Sequence, residues 1–172
     1  MSLGLYLHIP YCFSKCRYCD FYSAPGQRGV PRAYVDALLR ELSRFAPDAP
    51  LRPDTLYFGG GTPSLLDPAD AARLIAAAQP LPGAEITLEA NPETVTEGSL
   101  RAFREAGVNR ISFGVQSARD SQLKTLGRPH TAKQARAAFA AARRAGFENL
   151  SGDIMLALPH YTQAEFDETL EL

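Results

Sequence analysis

Near its start the chain reads Leu3-Gly-Leu-Tyr-Leu-His-Ile-Pro-Tyr-Cys12-Phe-Ser-Lys-Cys16-Arg-Tyr-Cys19, so a short apolar run leads directly into a cysteine cluster. Residues 3–9 are rich in strand-forming side chains and predict a β-strand. The cluster holds all three cysteines of the 172 residues, and an odd number excludes a complete set of intramolecular disulfides. Three thiols on one short loop are typical of a metal centre in a reducing compartment. The stretch therefore predicts a strand followed by a metal-binding loop.

Beyond the cluster, strand-like and helix-like segments alternate. Predicted strands cover residues 3–9, 55–58, 85–90, 110–115 and 149–158, and predicted helices cover residues 30–45, 68–79, 96–106, a segment from 131, and 163–172. This alternation is typical of the α/β class, in which helices cover a parallel sheet. The length accommodates about five βα units, whereas a closed eightfold barrel takes about 250 residues. We predict a partial barrel, and because the last helix stops without a cap, we expect residues 1–172 to be one incomplete domain.

The composition excludes several classes of function. The chain has 18 basic and 19 acidic side chains, and a net charge of −1 gives no electrostatic case for binding nucleic acid. No run of 18 apolar residues is present, so the sequence predicts no membrane span. The first residues also lack the basic and long apolar regions of a secretory signal. Together with the cysteine cluster, these features predict a cytoplasmic protein.

The cysteine cluster admits more than one kind of metal. Three cysteines leave one iron of a [4Fe–4S] cluster without a protein ligand, which is an open position for a substrate or cosubstrate. Zinc is an alternative, because His8 would complete a Cys3His set, although zinc sites usually combine two separated pairs and the chain has only Cys16-Arg-Tyr-Cys19. A purely structural role for the three thiols is a further alternative. In a parallel α/β sheet, ligands bind at the carboxyl ends of the strands, where this loop follows its strand.

The spacing Cys12-x-x-x-Cys16-x-x-Cys19 resembles the radical SAM superfamily, whose cluster binds S-adenosylmethionine at the open iron. Five further motifs occur in the same order as in the family of oxygen-independent coproporphyrinogen III oxidases and related heme chaperones. With the residues that lead into the cluster, the motifs are Tyr6-Leu-His-Ile-Pro-Tyr-Cys12, Gly59-Gly-Gly-Thr-Pro-Ser64, Glu89-Ala-Asn-Pro92, Asn109-Arg-Ile-Ser-Phe-Gly-Val-Gln-Ser117, Leu126-Gly-Arg128 and Gly152-Asp-Ile-Met-Leu-Ala-Leu-Pro159. This resemblance implies a partial TIM-like barrel of the radical SAM type, a [4Fe–4S] cluster, S-adenosylmethionine and an electron donor protein.

The resemblance also implies which residues bind these cofactors. Cys12, Cys16 and Cys19 would bind the metal cluster. The residues implied for S-adenosylmethionine are Gly60, Gly61 and Thr62 at its aminoacyl end, Glu89 at its ammonium, Arg128 at its carboxylate, Asp153 at its ribose, and Gln116, Tyr6 and Tyr18 nearby. Each type of residue also has an ordinary explanation: a tight glycine turn, a solvated acid, a surface salt bridge or a tyrosine packed in the core. The resemblance assigns no catalytic residue.

The segment Cys19-Asp-Phe-Tyr-Ser23 distinguishes two branches of this family. The decarboxylating oxidases resemble a pattern with another cysteine two positions after the third, where this chain has Phe21. The resemblance therefore implies a heme chaperone-like protein of heme and porphyrin metabolism, with heme as its cargo and heme-acceptor proteins as partners. The alternatives are an oxidase that decarboxylates coproporphyrinogen III, and another radical SAM enzyme or a non-redox metal domain.

Three residues depart from the pattern or have no implied role. The family usually has glycine where this chain has Ala157, and the added methyl either crowds the cofactor pocket or is harmless. His130 and His160 are expected in loops without an assigned function.

Overall fold

The computed structural model describes residues 2–45, 50–158 and 161–172. Within these ranges five strands form one parallel sheet in chain order, so each strand pairs with its neighbours in sequence. The strands are β1 (Gly4–Ile9), β2 (Thr55–Gly60), β3 (Glu85–Ala90), β4 (Arg110–Gln116) and β5 (Asn149–Ile154). The predicted α/β class, with five βα units in a partial TIM-like barrel, is therefore confirmed.

In the part of the chain that the structure describes, six α-helices follow or connect the strands. They are α1 (Arg32–Phe45), α2 (Pro68–Ala78), α3 (Glu97–Glu105), α4 (Asp120–Leu126), α5 (Ala132–Arg144) and α6 (Gln163–Leu170). Capping boxes start α3, α5 and α6, because a threonine before each helix exchanges hydrogen bonds with the third helical residue. At α5 this pair is Thr131 and Gln134, as their spacing in the sequence predicts. The described part of the chain contains no helix that is long and apolar enough to cross a membrane.

The two faces of the sheet differ in polarity. One face carries fully buried Phe58, Leu88 and Ile111, which belong to the same apolar core as buried residues of α2, α3 and α5. Because side chains alternate along a strand, the opposite face presents the residues next to these, and there the sequence is polar. We call this opposite face the inner face, and Glu89 and Ser112 are paired neighbours on it. The inner face therefore brings charged and hydroxyl groups toward the carboxyl ends of the strands.

The end of β5 differs from the prediction. The strand stops at Ile154 rather than continuing to residue 158. The pairing of β4 with β5 shifts register between Gly114 and Gln116, and Gln116 has a left-handed backbone with φ 70°. The Gln116 carbonyl then accepts a hydrogen bond from the amide of Met155, after which the chain leaves the sheet. Pro159 and His160, which the prediction placed after this strand, lie outside the described residues.

Two further features of the fold bear on the site. Helix α4 was not predicted, because it has only seven residues and only Leu123 and Leu126 are buried on it. Within the described ranges, β1 pairs only with β2 and β5 only with β4. The sheet is therefore open at both edges, as expected for an incomplete barrel.

Candidate functional site

A cavity of about 680 Å³ lies at the carboxyl ends of the strands, between the cysteine loop and the inner face of the sheet. This is the edge at which parallel α/β sheets bind ligands. The predicted site residues that line it are Cys12, Cys16, Cys19, Tyr18, Gly60, Gly61, Thr62, Glu89, Gln116, Arg128 and Asp153. Residues spread over more than 140 positions of sequence thus meet at one place.

The cysteine loop is held in place by backbone hydrogen bonds. Tyr11 and Ala24 form a parallel bridge, and the amide of Cys12 donates to the Ala24 carbonyl at 3.1 Å. The amide of Arg17 donates to the carbonyl of Leu126 at the end of α4 at 3.0 Å. These contacts fix both ends of the loop and its middle. The loop therefore presents its thiols to the cavity from a defined backbone.

The thiols themselves are half-buried and unpaired with one another, since all three cysteines are free. Thr62 Oγ1 donates to Cys12 Sγ at 3.6 Å, and Arg128 Nη1 donates to Cys16 Sγ at 3.4 Å. Burial raises the pKa of the Cys12 thiol, while the hydrogen bond from Thr62 lowers it and the charge of Cys19 raises it further. A positive metal centre would offset the cost of ionising this thiol, because it binds the thiolate form. The donor set thus fits a thiolate-bound metal cluster.

The arrangement of donors bears on which metal fits. Among the side chains that the structure describes, no group of three or more His, Cys, Asp or Glu lies close enough together to hold a single ion. His8 would complete a zinc set, but its Nε2 lies 3.0 Å from the Tyr22 carbonyl and its Nδ1 lies 3.3 Å from the Tyr6 hydroxyl. Both ring nitrogens are thus engaged away from the thiols. A cubane cluster presents a separate iron to each cysteine and suits three spread thiols better than one zinc ion.

The glycine loop after β2 packs closely on the cysteine loop. A Cβ on Gly61 would lie 2.8 Å from the Pro10 backbone and 2.9 Å from Cys12 Sγ. Gly60 has φ 117°, and a Cβ there would lie 2.6 Å from the His8 ring. The prediction was that these glycines admit a ligand, and both do line the cavity. The contacts show that their lack of a side chain also lets His8 approach Gly60 and lets the Cys12 thiol approach Gly61.

Glu89 is the best-supported anion of the cavity. The Tyr57 hydroxyl donates to its Oε1 at 2.8 Å, and the Gly60 amide donates to its Oε2 at 3.1 Å. Burial raises the pKa of the Glu89 carboxyl, these two hydrogen bonds lower it, and the charge of Asp153 raises it again. Asp153 itself is exposed on β5 and accepts one hydrogen bond, from Ser112 Oγ at 3.3 Å. The two acids thus face one cavity and would both favour a cationic ligand.

Arg128 is the main cation at the cavity. Its Nη2 donates to Asn91 Oδ1 at 2.6 Å and also to the Gly114 carbonyl. A Cβ on Gly114 would lie 2.6 Å from the same Nη2, so glycine is needed for this approach. The interpretation of Arg128 as a surface salt bridge is wrong, because its partners are an amide, a backbone carbonyl and a thiol.

The two predicted tyrosines lie in different places. Tyr18 lines the cavity, and burial raises the pKa of its hydroxyl to about 12 against the lowering effect of the Arg128 charge. Tyr6 lies outside the cavity lining, is 55% exposed and stacks on Tyr57 with ring centroids 6.0 Å apart. Tyr57 and Asn91 were not predicted as site residues. Asn91 lies in the quoted motif beside Glu89, but the role of Tyr57 depends on strand register, which the motifs do not carry.

Comparison with known proteins agrees with this geometry. The family model described as the Radical SAM superfamily matches residues 6–172. The chain is 43% identical over 169 residues to the "Heme chaperone HemW" of Escherichia coli, covering 95% of this chain and 45% of that protein. It is 41% identical over 166 residues to the bovine "Radical S-adenosyl methionine domain-containing protein 1, mitochondrial", covering 91% of this chain and 36% of the relative. The chain thus spans less than half the length of these relatives.

Solved structures show the same architecture. The coproporphyrinogen III oxidase HemN of Escherichia coli, described as a radical SAM enzyme, superposes with a TM-score of 0.87 at 31% identity. The match covers 99% of this chain and 41% of the oxidase. Methylornithine synthase superposes over 99% of this chain and 49% of its own with a TM-score of 0.67, and its 15% identity shows a shared fold only. By its sequence motifs, its cavity and these matches, the chain belongs to the radical SAM superfamily and is homologous to the heme chaperones named HemW.

Proposed function

We propose that this chain binds a [4Fe–4S] cluster through Cys12, Cys16 and Cys19 and S-adenosylmethionine in the adjoining cavity. The observation that carries the proposal is that three free thiols share one cavity with a supported carboxylate and a guanidinium. When bound, the reduced cluster supplies the electron that cleaves a carbon–sulfur bond of S-adenosylmethionine. The protein's part is to hold the sulfonium near the open iron and to exclude water.

The cavity has the size and charges for such a ligand. A volume of about 680 Å³ lies within the usual range for small-molecule sites, about 300–1,000 Å³. In our proposal Glu89 accepts hydrogen bonds from the ligand's ammonium, and Arg128 pairs with its carboxylate. In the same proposal Asp153 on β5 accepts hydrogen bonds from the ribose hydroxyls. Gln116 and Tyr18 complete the contacts, with Gly60, Gly61 and Thr62 at the aminoacyl end.

The branch we favour is that of the heme chaperones. Phe21 occupies the position where the oxidases carry a further cysteine, and it lines the cavity with 69% of its surface exposed. Six bacterial relatives, that of Escherichia coli among them, carry the name heme chaperone HemW. We propose that the whole protein acts in the cytoplasm, carries heme as cargo to heme-acceptor proteins, and receives electrons from a donor protein. The second candidate is coproporphyrinogen III oxidation, which the likeness to the oxidase HemN favours.

Anaerobic loading with iron and sulfide tests the cluster. We expect about four irons per chain and a brown absorbance that bleaches with dithionite. Cys16→Ala should abolish iron uptake, because the loop then offers only two thiols. Ser14→Ala is the matched control, since Ser14 lies on the same loop and lines the same cavity. Tight zinc binding without iron uptake under any condition would contradict the proposal.

Adding heme tests the choice of branch. A chaperone should form a stoichiometric heme complex with a shifted Soret band and should not consume coproporphyrinogen III. The oxidase candidate predicts the opposite result, namely turnover of coproporphyrinogen III to a divinyl product without stable heme binding. The whole protein that contains this chain is the material for this assay, because the relatives are more than twice as long.

A further inference from the structure

Two buried ionisable side chains behind Arg128 have no part in the proposed function. His130 follows Arg128 by two positions, and its side chain is fully buried. Glu93 lies in the short 3₁₀ turn Pro92–Thr94 after β3, and its side chain is 14% exposed. Buried ionisable groups are costly unless they are paired, so their placement beside the cavity requires a reason.

The contacts of His130 determine where its protons are. Its Nε2 lies 3.0 Å from the Val115 carbonyl, which can only accept a hydrogen bond, so Nε2 carries a proton. Its Nδ1 lies 3.3 Å from Glu93 Oε2, and among the described residues neither of these buried atoms has an aligned hydrogen-bond partner. A lone pair on Nδ1 this close to a carboxylate oxygen would be repelled by its negative charge. The contact is therefore favourable only when the pair carries a proton, either on Nδ1 or on the carboxyl group.

Arg128 and His130 are fastened to the same two elements of the fold. Arg128 donates to the Gly114 carbonyl on β4 and to Asn91, just before the 3₁₀ turn. His130 donates to the carbonyl of the next residue on β4, Val115, and contacts Glu93 within the turn. The segment between them is thus attached at two successive points. The guanidinium also lies near enough to the Glu93 carboxylate to be affected by its charge.

We propose that His130 and Glu93 form a proton-sharing pair that positions Arg128 in the cavity and against Cys16. This inference rests on the proposed function, because it gives the pair a role in presenting Arg128 to the cofactor and the cluster. Neither residue lines the cavity, so both act through Arg128. Groups that orient a ligand-binding residue commonly change affinity by about 10-fold or more when they are removed.

Substitutions of the pair test the proposal in the loaded chain. For His130→Ala and Glu93→Ala we expect S-adenosylmethionine affinity to fall by about 10-fold. We also expect the cluster's reduction potential to become more negative, because a hydrogen bond to a cysteine ligand raises that potential. Glu93→Gln should stay within about 3-fold of wild type, since its amide can donate to a neutral His130 Nδ1.

A matched variant separates positioning from stability. Thr169→Val removes a buried hydroxyl that bonds the Ala118 amide and the Tyr161 hydroxyl, away from the cavity. It should lower the melting temperature without changing cofactor affinity or potential. A His130→Ala chain that loses stability but keeps both the affinity and the potential would overturn the positioning role. Equal losses in Glu93→Gln and Glu93→Ala would overturn the shared proton.

The inference can fail separately from the proposed function. If wild type takes up neither cluster nor S-adenosylmethionine, the proposed function is wrong. A crystal structure of the unloaded His130→Ala chain then decides the inference by itself. We expect the Arg128 guanidinium to leave the Gly114 carbonyl and Asn91, and an unmoved guanidinium would refute the positioning role.

Discussion

Glu89 and Asp153 are both carboxylates of the cavity, yet the fold treats them differently. Glu89 ends a central strand, is half-buried and accepts hydrogen bonds from Tyr57 and Gly60. Asp153 lies on the edge strand β5, is exposed and accepts one longer hydrogen bond from Ser112. The first acid is held in one orientation before any ligand arrives, whereas the second is free to adjust.

The contrast extends to the walls on which the two acids stand. We call β1, β2, β3 and the cysteine loop the closed wall, and β5 with the residues after it the open wall. The closed wall is tightly packed, to the point that a single methyl on Gly61 would overlap backbone atoms. Within the described ranges β1 and β5 each pair on one side only, but the residues after β1 form the tied cysteine loop, whereas Gly152 and Asp153 on β5 stay exposed. We infer that the closed wall carries preorganised binding and that the open wall adapts to the ligand.

The largest expected effect comes from adding a methyl to each wall. Gly61→Ala places a Cβ 2.8 Å from the Pro10 and Tyr11 backbone. We therefore expect the free energy of unfolding to fall by about 3 kcal/mol and iron loading to fail. Gly152→Ala on the open wall meets a side chain, the Phe139 ring at 3.1 Å, which can shift. For Gly152→Ala we expect the free energy of unfolding to fall by about 1 kcal/mol and iron loading to be retained. Chemical denaturation and iron analysis measure both, and equal losses would break the contrast between the walls.

The next effect concerns the hydrogen bonds that support each acid. Tyr57→Phe removes the hydroxyl that donates to Glu89, and hydrogen bonds to charged groups contribute about 1.5–3 kcal/mol. We expect S-adenosylmethionine affinity to fall by roughly 10-fold, as measured by calorimetry. Ser112→Ala removes the donor to Asp153 and should change affinity by less than about 3-fold, because that bond is longer and ends on an exposed carboxylate. A larger loss of affinity in Ser112→Ala than in Tyr57→Phe would show that Asp153, and not Glu89, is the preorganised acid.

The pH dependence of cofactor affinity follows from the raised pKa of Glu89. Burial is its main cause, and the charge of Asp153 adds to it, against the hydrogen bonds from Tyr57 and Gly60. A raised pKa means that the carboxylate is lost at a higher pH than in an ordinary glutamate, so affinity for an ammonium group should fall early on acidification. The same shift makes the folded state bind protons more tightly than the unfolded state. The protonated group therefore stabilises the fold below the unfolded pKa, and this contribution disappears as pH rises through the folded pKa.

Affinity titrations between pH 4 and pH 8 measure this effect. In Tyr57→Phe the onset of the loss should move to higher pH, because a hydrogen bond that favours the carboxylate is gone. Asp153→Asn should move the onset to lower pH by removing a like charge. An onset that stays unchanged in both variants would show that Glu89 does not bind the ammonium.

The smallest expected effect lies in the open wall just after β5, at Ala157. This residue has φ 53°, in the left-handed region that glycine adopts without strain. It does not line the cavity, so the structure favours backbone strain rather than crowding of the cofactor as the consequence of its methyl group. We expect Ala157→Gly to stabilise the chain by about 1 kcal/mol, measured by urea unfolding. A destabilised Ala157→Gly chain would contradict this.

The closed wall was also the easier part to predict from sequence. The cysteine spacing, the glycine loop and Glu89 are local motifs, and local motifs translate directly into a loop and strand ends. The motifs did not predict Tyr57, because its partner Glu89 lies 32 residues away and contacts it only through the register of β2 with β3. The predicted end of β5 was wrong, because the irregularity that ends the strand lies in β4, at Gln116. A strand's own residues do not encode a bulge in its neighbour.

The pairing of His130 with Glu93 shows the same limit. In the sequence each residue is typical of an ordinary loop. The sequence predicts a loop position for His130, but it does not predict that the side chain is buried. What joins them is contact between the segment after α4 and the 3₁₀ turn after β3. Contacts between separate βα units depend on packing, which sequence periodicity does not specify.

The bridge between Tyr11 and Ala24 has a consequence for which residues of the cysteine loop can change. The loop is closed by backbone hydrogen bonds, and the Arg17 amide ties it to α4 in the same way. Because backbone groups make these contacts, the contacts do not depend on which side chains stand between them. A cysteine can therefore be replaced without removing a contact that holds the loop, so such a variant loses a metal ligand and keeps the ties of the loop.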